Sequence, residues 1–221
     1  VIVIDAFRIS SQAFIKAISN KAEEMHVPVI VLDARVEGIK CIFMNIEYSF
    51  EKMVTHVIEE HGRRNVHMFI SEHLKNASDR YIFLYSQALK KNHIEFDENK
   101  IAYLPEDIDI IKDHLLALSE KEMPDAIICS NDDMAIKVCT RLKTMDIKVP
   151  DQISVAGIGG TIKGQHILPS ITTIEMDPEI IIERLFDEID AIGSTKPNKD
   201  KIELESRLCI RESCGCKSTE Q

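Results

Sequence analysis

Asp125–Val138 reads DAIICSNDDMAIKV: four apolar residues run into Ser-Asn-Asp-Asp, and a helical repeat then begins through Met134, Val138, Leu142 and Met145. A short, continuous apolar run followed by a change of period reads as a strand buried on both faces that turns directly into a helix. Ser130 stands where such a helix needs a cap, Asp133 three residues on would complete a capping box, and Asp132 suits the positive helix end. Capping alone accounts for these residue types. The position has a second use, because ligands of open parallel sheets bind beyond the carboxyl ends of the strands, where such turns present polar side chains. Both readings stand at this point.

Apolar runs of the same kind recur at Val1–Ile4, Val27–Leu32, Cys41–Met44, Val66–Ile70, Ile101–Leu104 and Ile153–Ile158. Between them lie stripes of helical period: Phe50, Met53, Val54, Val57 and Ile58; Tyr81, Leu84, Tyr85, Ala88 and Leu89; and later Ile181, Leu185, Phe186 and Ile189. Continuous apolar strands alternating with amphipathic helices predict an α/β fold with parallel sheets covered on both faces. After Ile158 the rhythm breaks into a Gly-rich loop, a strand at Ile171–Met176, a helix ending near Ile192, the linker GSTKPNKD and a last strand near Leu204–Ile210. Such late departures predict two sheets, a chain that crosses back between them near its end, and a ligand cleft between two lobes.

Composition excludes several functions. Lys and Arg number 27 against 37 Asp and Glu, a net charge of −10, and no basic block of five occurs, so this chain is not expected to grip nucleic acid. No apolar run approaches the roughly 18 residues of a membrane-spanning helix, and VIVIDAF has no basic flank of a signal peptide. Opening on a strand pattern without Met, the sequence reads as a fragment. Cys41, Cys129 and Cys139 sit inside apolar patterns, and the six cysteines do not form a secreted disulfide framework, which points to a reducing cytoplasm. There is no nucleophile elbow, Walker loop, HExxH or dinucleotide fingerprint, and Asp132 and Asp133 diverge by about 100° on a helix. No catalytic residue, cofactor or metal is expected.

Seven pieces, in order, carry a resemblance: VPVIVLD (27–33), HVIEEHGRRNVHMFI (56–70), YSQAL (85–89), MPDAIICSNDDMAIKV (123–138), VPDQISVAGI (149–158), LPSITTIEMDP (168–178) and RLCIRESC (207–214). Together they resemble the effector-binding core of LacI-type transcriptional regulators, which has the type I periplasmic-binding-protein fold. The resemblance implies two lobes joined by three crossovers, placed near Arg64, near Met176 and near Lys196. It also implies that the first lobe is truncated at its amino end, the first strand here resembling the family's third. The corresponding division is a first lobe of residues 1–63 completed by 176–195, a second lobe of 64–175 completed by 200–213, and a tail or linker of 214–221.

The resemblance further implies ligand contacts. Asn131 and Asp132 match the family's cleft-facing polar pair, and Asn45 stands where the family often has Asp. Two positions depart from the pattern. Tyr81 occupies the place of an Arg, with Arg80 one residue, or about 100° of helix, away. Gly159 and Gly160 stand where the family carries an Asp pair that accepts sugar hydroxyls, which argues against a plain sugar ligand.

Other motifs have plainer readings. The Gly pair reads as a turn needing φ > 0 rather than a phosphate cradle, because no helix-opening pattern follows at once. His61, Arg63 and Arg64 read as cations complementing the C-terminal end of a helix rather than an anion site. Cys214-Gly215-Cys216 reads as reduced surface cysteines, since a zinc site needs about four ligands and Cys209 is the only other thiol nearby. The ending RESCGC resembles a family variant fused to a GGDEF diguanylate cyclase or histidine kinase module.

The expected function is therefore sensing. A small polar metabolite would bind between the lobes of a cytoplasmic homodimer, and lobe closure would pass the signal to an output domain. The alternative of another class is the substrate-binding protein of an ABC sugar transporter.

Overall fold

The computed structural model describes residues 1–6, 12–192 and 201–217. The chain divides into two compact units, residues 1–45 with 177–206 and residues 46–176 with 207–221.

Unit 1 contains β1 (Ile2–Asp5), α1 (Gln12–Glu24), β2 (Val29–Leu32), β3 (Lys40–Asn45), α7 (Pro178–Asp190) and β9 (Lys201–Glu205). Its four strands pair in the order β1-β2-β3-β9, all parallel. Alternate residues serve opposite faces. Ile4, Val31, Cys41 and Phe43 pack with Ile15 of α1, while Ile30, Ile42 and Ile202 pack with Leu185 and Ile189 of α7. Glu188, buried on α7, pairs with Lys40 of β3 and with Arg184 one turn earlier.

Unit 2 runs from α2 (Glu47–Glu59) through β4 (Val66–Ser71), α3 (Ser78–Lys91), β5 (Ile101–Leu104), α4 (Ile108–Ser119), β6 (Ala126–Cys129), α5 (Asp132–Thr144), β7 (Ser154–Gly159), α6 (Ile162–His166) and β8 (Thr172–Glu175) to β10 (Arg207–Cys209). Its sheet has the order β10-β8-β7-β6-β4-β5, parallel except for the edge strand β10. The alternation Met68, Phe69, Ile70 shows why both faces are dry. Met68 and Ile70 join Ile128, Ile158 and the apolar stripes of α2 and α3, whereas Phe69 joins Ile127, Cys129 and those of α4 and α5. The α/β class and the parallel sheets flanked by helices follow the sequence reading. Among the described residues no helix is long and apolar enough to cross a membrane.

The boundaries differ from those expected. The chain passes between units at 45/46, not near Arg64, because the stripe Phe50, Met53, Val54, Val57 of α2 is buried in unit 2's core. The last crossing lies at 206/207, inside the single strand expected at Leu204–Ile210: β9 pairs with β3 of unit 1 and β10 with β8 of unit 2. Residues 200–213 therefore do not belong to one lobe. The linker GSTKPNKD, with the crossing expected near Lys196, and residues 218–221 lie outside the described residues. Cys214 is no tail residue, being fully buried in unit 2.

Candidate functional site

The strand order of unit 2 reverses beside β4, since β5 lies on one side of it and β6, β7 and β8 on the other. The crevice beyond the carboxyl ends of β4 and β6 is thus a topological switch point, where open α/β sheets bind ligands. Ser71 closes β4 and Ser130 follows β6. The Ser71 N–H donates to Ser130 Oγ at 2.9 Å, joining the two ends.

Asn131, not Ser130, caps α5: its backbone is extended (φ −153°, ψ 165°) and its Oδ1 accepts the Met134 N–H at 2.8 Å. With the cap one residue later than expected, the third helical residue is Met134, and Asp133 completes no capping box. The Asn131 amide Nδ2 donates to Glu106 Oε1 at 2.8 Å, which also accepts the Ser71 hydroxyl at 2.9 Å. Lys137 donates to the Glu106 carbonyl at 2.8 Å and lies 3.6 Å from its carboxylate. Burial would raise the Glu106 carboxyl, but the Asn131 and Ser71 hydrogen bonds and the Lys137 charge outweigh it and hold the group below its usual range.

Asp132 is buried completely and faces inward. One oxygen accepts the Thr161 N–H at 2.6 Å and the other the Thr173 hydroxyl at 2.6 Å. It therefore fastens the loop Gly159-Gly160-Thr161 and strand β8 to the start of α5. A Cβ at Gly157 would stand 2.5 Å from its Oδ1, so only glycine lets β7 pass this carboxylate.

Gly159 (φ +135°) and Gly160 (φ +69°) do occupy the left-handed region, and a Cβ at Gly160 would meet the Glu175 backbone at 2.9 Å. The reason given against an anion cradle needs correcting, because a helix does follow, with Thr161 capping α6 through the Gly164 N–H. That helix is only five residues long. Glu175, at the end of β8, accepts from Arg207 and from the Cys209 thiol at 3.1 Å; the Arg207 hydrogen bonds keep its carboxyl below the usual range.

The sequence-derived residues separate into groups. Asn131, Asp132, Gly159 and Gly160 meet at the carboxyl end of unit 2's sheet. Arg80 is exposed on the first turn of α3, 4.0 Å from Glu47, and Tyr81 packs half-buried against the α2–α3 core. Asn45 ends β3 in unit 1, where its amide meets Glu203 of β9 and its carbonyl accepts the Ser206 hydroxyl at 2.8 Å. Sequence reasoning missed Ser71 and Glu106. The signal for Glu106 was present, since Ile101–Leu104 leads through Pro105 into the polar pair Glu106 and Asp107 before a helix.

Of the three basic residues and two thiols, some read otherwise than expected. Arg63 donates to the carbonyls of Pro150, Asp151 and Gln152 and so complements no helix end, whereas Arg64 donates to Asn92 O at the C-terminal end of α3, as a cation complementing a helix end does. His61 lies instead beside His56, Cys214 and Cys216, and the expectation of surface cysteines fails at buried Cys214. A surface depression of about 630 Å³, lined by Lys16, Asn20, Glu23 and Lys40 among others, lies at the amino-terminal ends of β2 and β3, the wrong end of a parallel sheet for a ligand.

Residues 54–214 match the family model described as periplasmic binding protein-like domain. Over 203 residues the chain is 25% identical to the HTH-type transcriptional repressor PurR of Klebsiella pneumoniae (strain 342), covering 89% of this chain and 59% of that protein. The chain thus spans about three-fifths of the length of that relative. Among solved structures, the transcription regulator GntR from Chromobacterium violaceum superposes with a TM-score of 0.79 at 21% identity, over 96% of this chain and 77% of that one. A transcriptional regulator CelR-cellobiose complex superposes with a TM-score of 0.78 at 18% identity, over 96% and 64%. The chain belongs to the periplasmic binding protein-like domain family.

Proposed function

We propose that this chain is the small-molecule sensor of a regulatory protein, binds a polar metabolite at the switch-point rim of unit 2, and works as a homodimer. The observation that carries the reading is the convergence of Asn131, Glu106 and Ser71 at the crevice between β4 and β6. Glu106, partly exposed and ionised, with Glu175 likewise ionised on the rim, suits a ligand rich in hydroxyl or amino donors and disfavours an anion. The absence of the family's Asp pair at Gly159 and Gly160 weighs against plain hexoses and pentoses. Similarity to repressors favours regulation over transport as the purpose of binding.

A thermal-shift screen over neutral polyols, aminosugars, nucleosides, amines and organic anions tests this, because a ligand of the native state raises the melting temperature by mass action. The discriminating variant is Asn131→Ser, which keeps a capping oxygen and removes the amide donor. It should fold as well as the parent, whereas Asn131→Ala should cost about 1 kcal/mol. The stabilising compound should lose affinity by about tenfold or more with Asn131→Ser and with Glu106→Gln. Stabilisation by anions alone, or binding unchanged in both variants, would sink the proposal.

A further inference from the structure

At the opposite end of unit 2's sheet, α2 delivers His56 on its last turn and His61 just beyond it, before β4 begins. The segment after β10 brings Cys214 and Cys216 to the same place. His56 Nε2 lies 3.2 Å from His61 Nε2, 3.5 Å from Cys214 Sγ and 3.4 Å from Cys216 Sγ, and Cys216 Sγ lies 3.5 Å from His61 Nε2. All four ligand atoms fall within 4.8 Å of one another.

Hydrogen bonding does not account for this arrangement. An imidazole nitrogen has one in-plane lone pair or one N–H, so His56 Nε2 can serve one of its three neighbours and not all of them. Four Lewis bases around a common point are what a shared cation satisfies. A tetrahedral zinc with ordinary bond lengths has edges of about 3.3 Å between two nitrogens and about 3.6 Å between nitrogen and sulfur. The N···N separation and three of the four N···S separations lie within about 0.2 Å of these edges.

The surroundings hold the thiols in place. Gly215 has φ +120°, and a Cβ there would stand 2.8 Å from His61 Nδ1, so only glycine lets the Cys-x-Cys backbone pass the ring. The Cys214 carbonyl accepts the Ser154 hydroxyl at 2.9 Å, and Ser213 Oγ donates to Val155 O while accepting the Thr172 N–H at 2.9 Å. These contacts fix the segment against the starts of β7 and β8.

We infer that His56, His61, Cys214 and Cys216 form a four-ligand site for zinc(II) that fastens residues 212–217 to the α2–β4 turn. Two thiolates and two imidazoles match the borderline-soft character of zinc, and four protein ligands leave no open position for catalysis. Binding displaces the protons still carried by the two thiols into solvent, with no change of oxidation state.

The test uses the whole chain, purified under reducing conditions and stripped of metal. Elemental analysis after addition of zinc and desalting should give one zinc per chain. Cobalt(II) should produce the intense visible bands of a tetrahedral ion together with a thiolate-to-cobalt charge-transfer band. Zinc should raise the melting temperature, and a chelator should reverse the rise. Cys214→Ser with Cys216→Ser should abolish these effects, Gly215→Ala should weaken zinc by about tenfold or more while keeping every ligand, and Cys209→Ser should change nothing. Should the double variant fail to fold, the unaltered protein still decides the matter through stoichiometry and the cobalt spectrum. An octahedral cobalt spectrum, less than half a zinc per chain, or zinc binding that survives loss of both thiols would overturn the assignment.

Discussion

Asn131 uses its oxygen to start a helix and its amide to hold Glu106, while Asp132 beside it spends both oxygens on the protein. The choice between capping and binding is therefore not exclusive, and replacing both residues by Ala would confound the two by removing a cap and a buried acceptor together. His67 makes a different point about single residues. It lies in β4 almost wholly buried, and burial, with the nearby Lys100 charge, lowers its pKa to about 4. Its value in the unfolded chain is 6.5, so between these values the unfolded chain binds the proton that the folded one refuses. Stability should be constant above about pH 6.5, fall as pH drops toward 4, and lose at most about 3 kcal/mol from this group. Burial lowers His114 as well, with the same sign. Melting curves across this range should be flatter for His67→Gln than for the parent; an identical slope would remove His67 from the account.

Elements were legible where one local signal sufficed. Strands β4, β6 and β7 announce themselves as continuous apolar runs, and the stripes of α2, α3 and α5 are plain. The missed information was relational. A stripe says that α2 buries Phe50 and Val57 but not which sheet they meet, and nothing in Leu204–Ile210 marks Ser206 as the point where a strand changes sheets. The cap at Ser130 was wrong by one residue, the ordinary uncertainty of a helix start. Sequence spacing around Cys214 does not reveal the His56, His61, Cys214 and Cys216 cluster, because the thiols' partners come from the last turn of α2 and the segment just beyond it. The bond between α7 and β3 is equally non-local. Lys40→Ala should leave Glu188 with Arg184 alone and cost about 2 kcal/mol, and joint replacement of Lys40 and Glu188 by Met should recover most of it, because burying an ion pair gains little over a good apolar contact. Thermal unfolding of the two variants checks this. Equal destabilisation by both would mean that the pair is worth more than its apolar substitute.

At the scale of the molecule each unit leaves apolar residues uncovered. In unit 1, α7 turns Ile180, Ile182 and Phe186 to the outside. An apolar helix face favours association with another chain. Unit 2 has exposed apolar residues of its own, Tyr48, Phe83, Tyr103, Ile110, Leu116, Ile162 and Leu168, but these are spread over α2, α3, β5, α4 and the segment around α6, and scattered residues need no partner. The proposed homodimer should therefore bury unit 1 surface. Sedimentation at micromolar concentration should find a dimer, and Ile182→Glu with Phe186→Glu should shift it toward the 25.1 kDa monomer. Ile162→Glu should not do so. A single 25.1 kDa species in the unaltered protein would refute association, and a dimer that survives the α7 changes but not Ile162→Glu would move the contact to unit 2. Because α7 is held to β3 by Glu188 and Lys40, the Lys40→Ala variant should also weaken the dimer if α7 is the contact, linking the stability of this element to assembly.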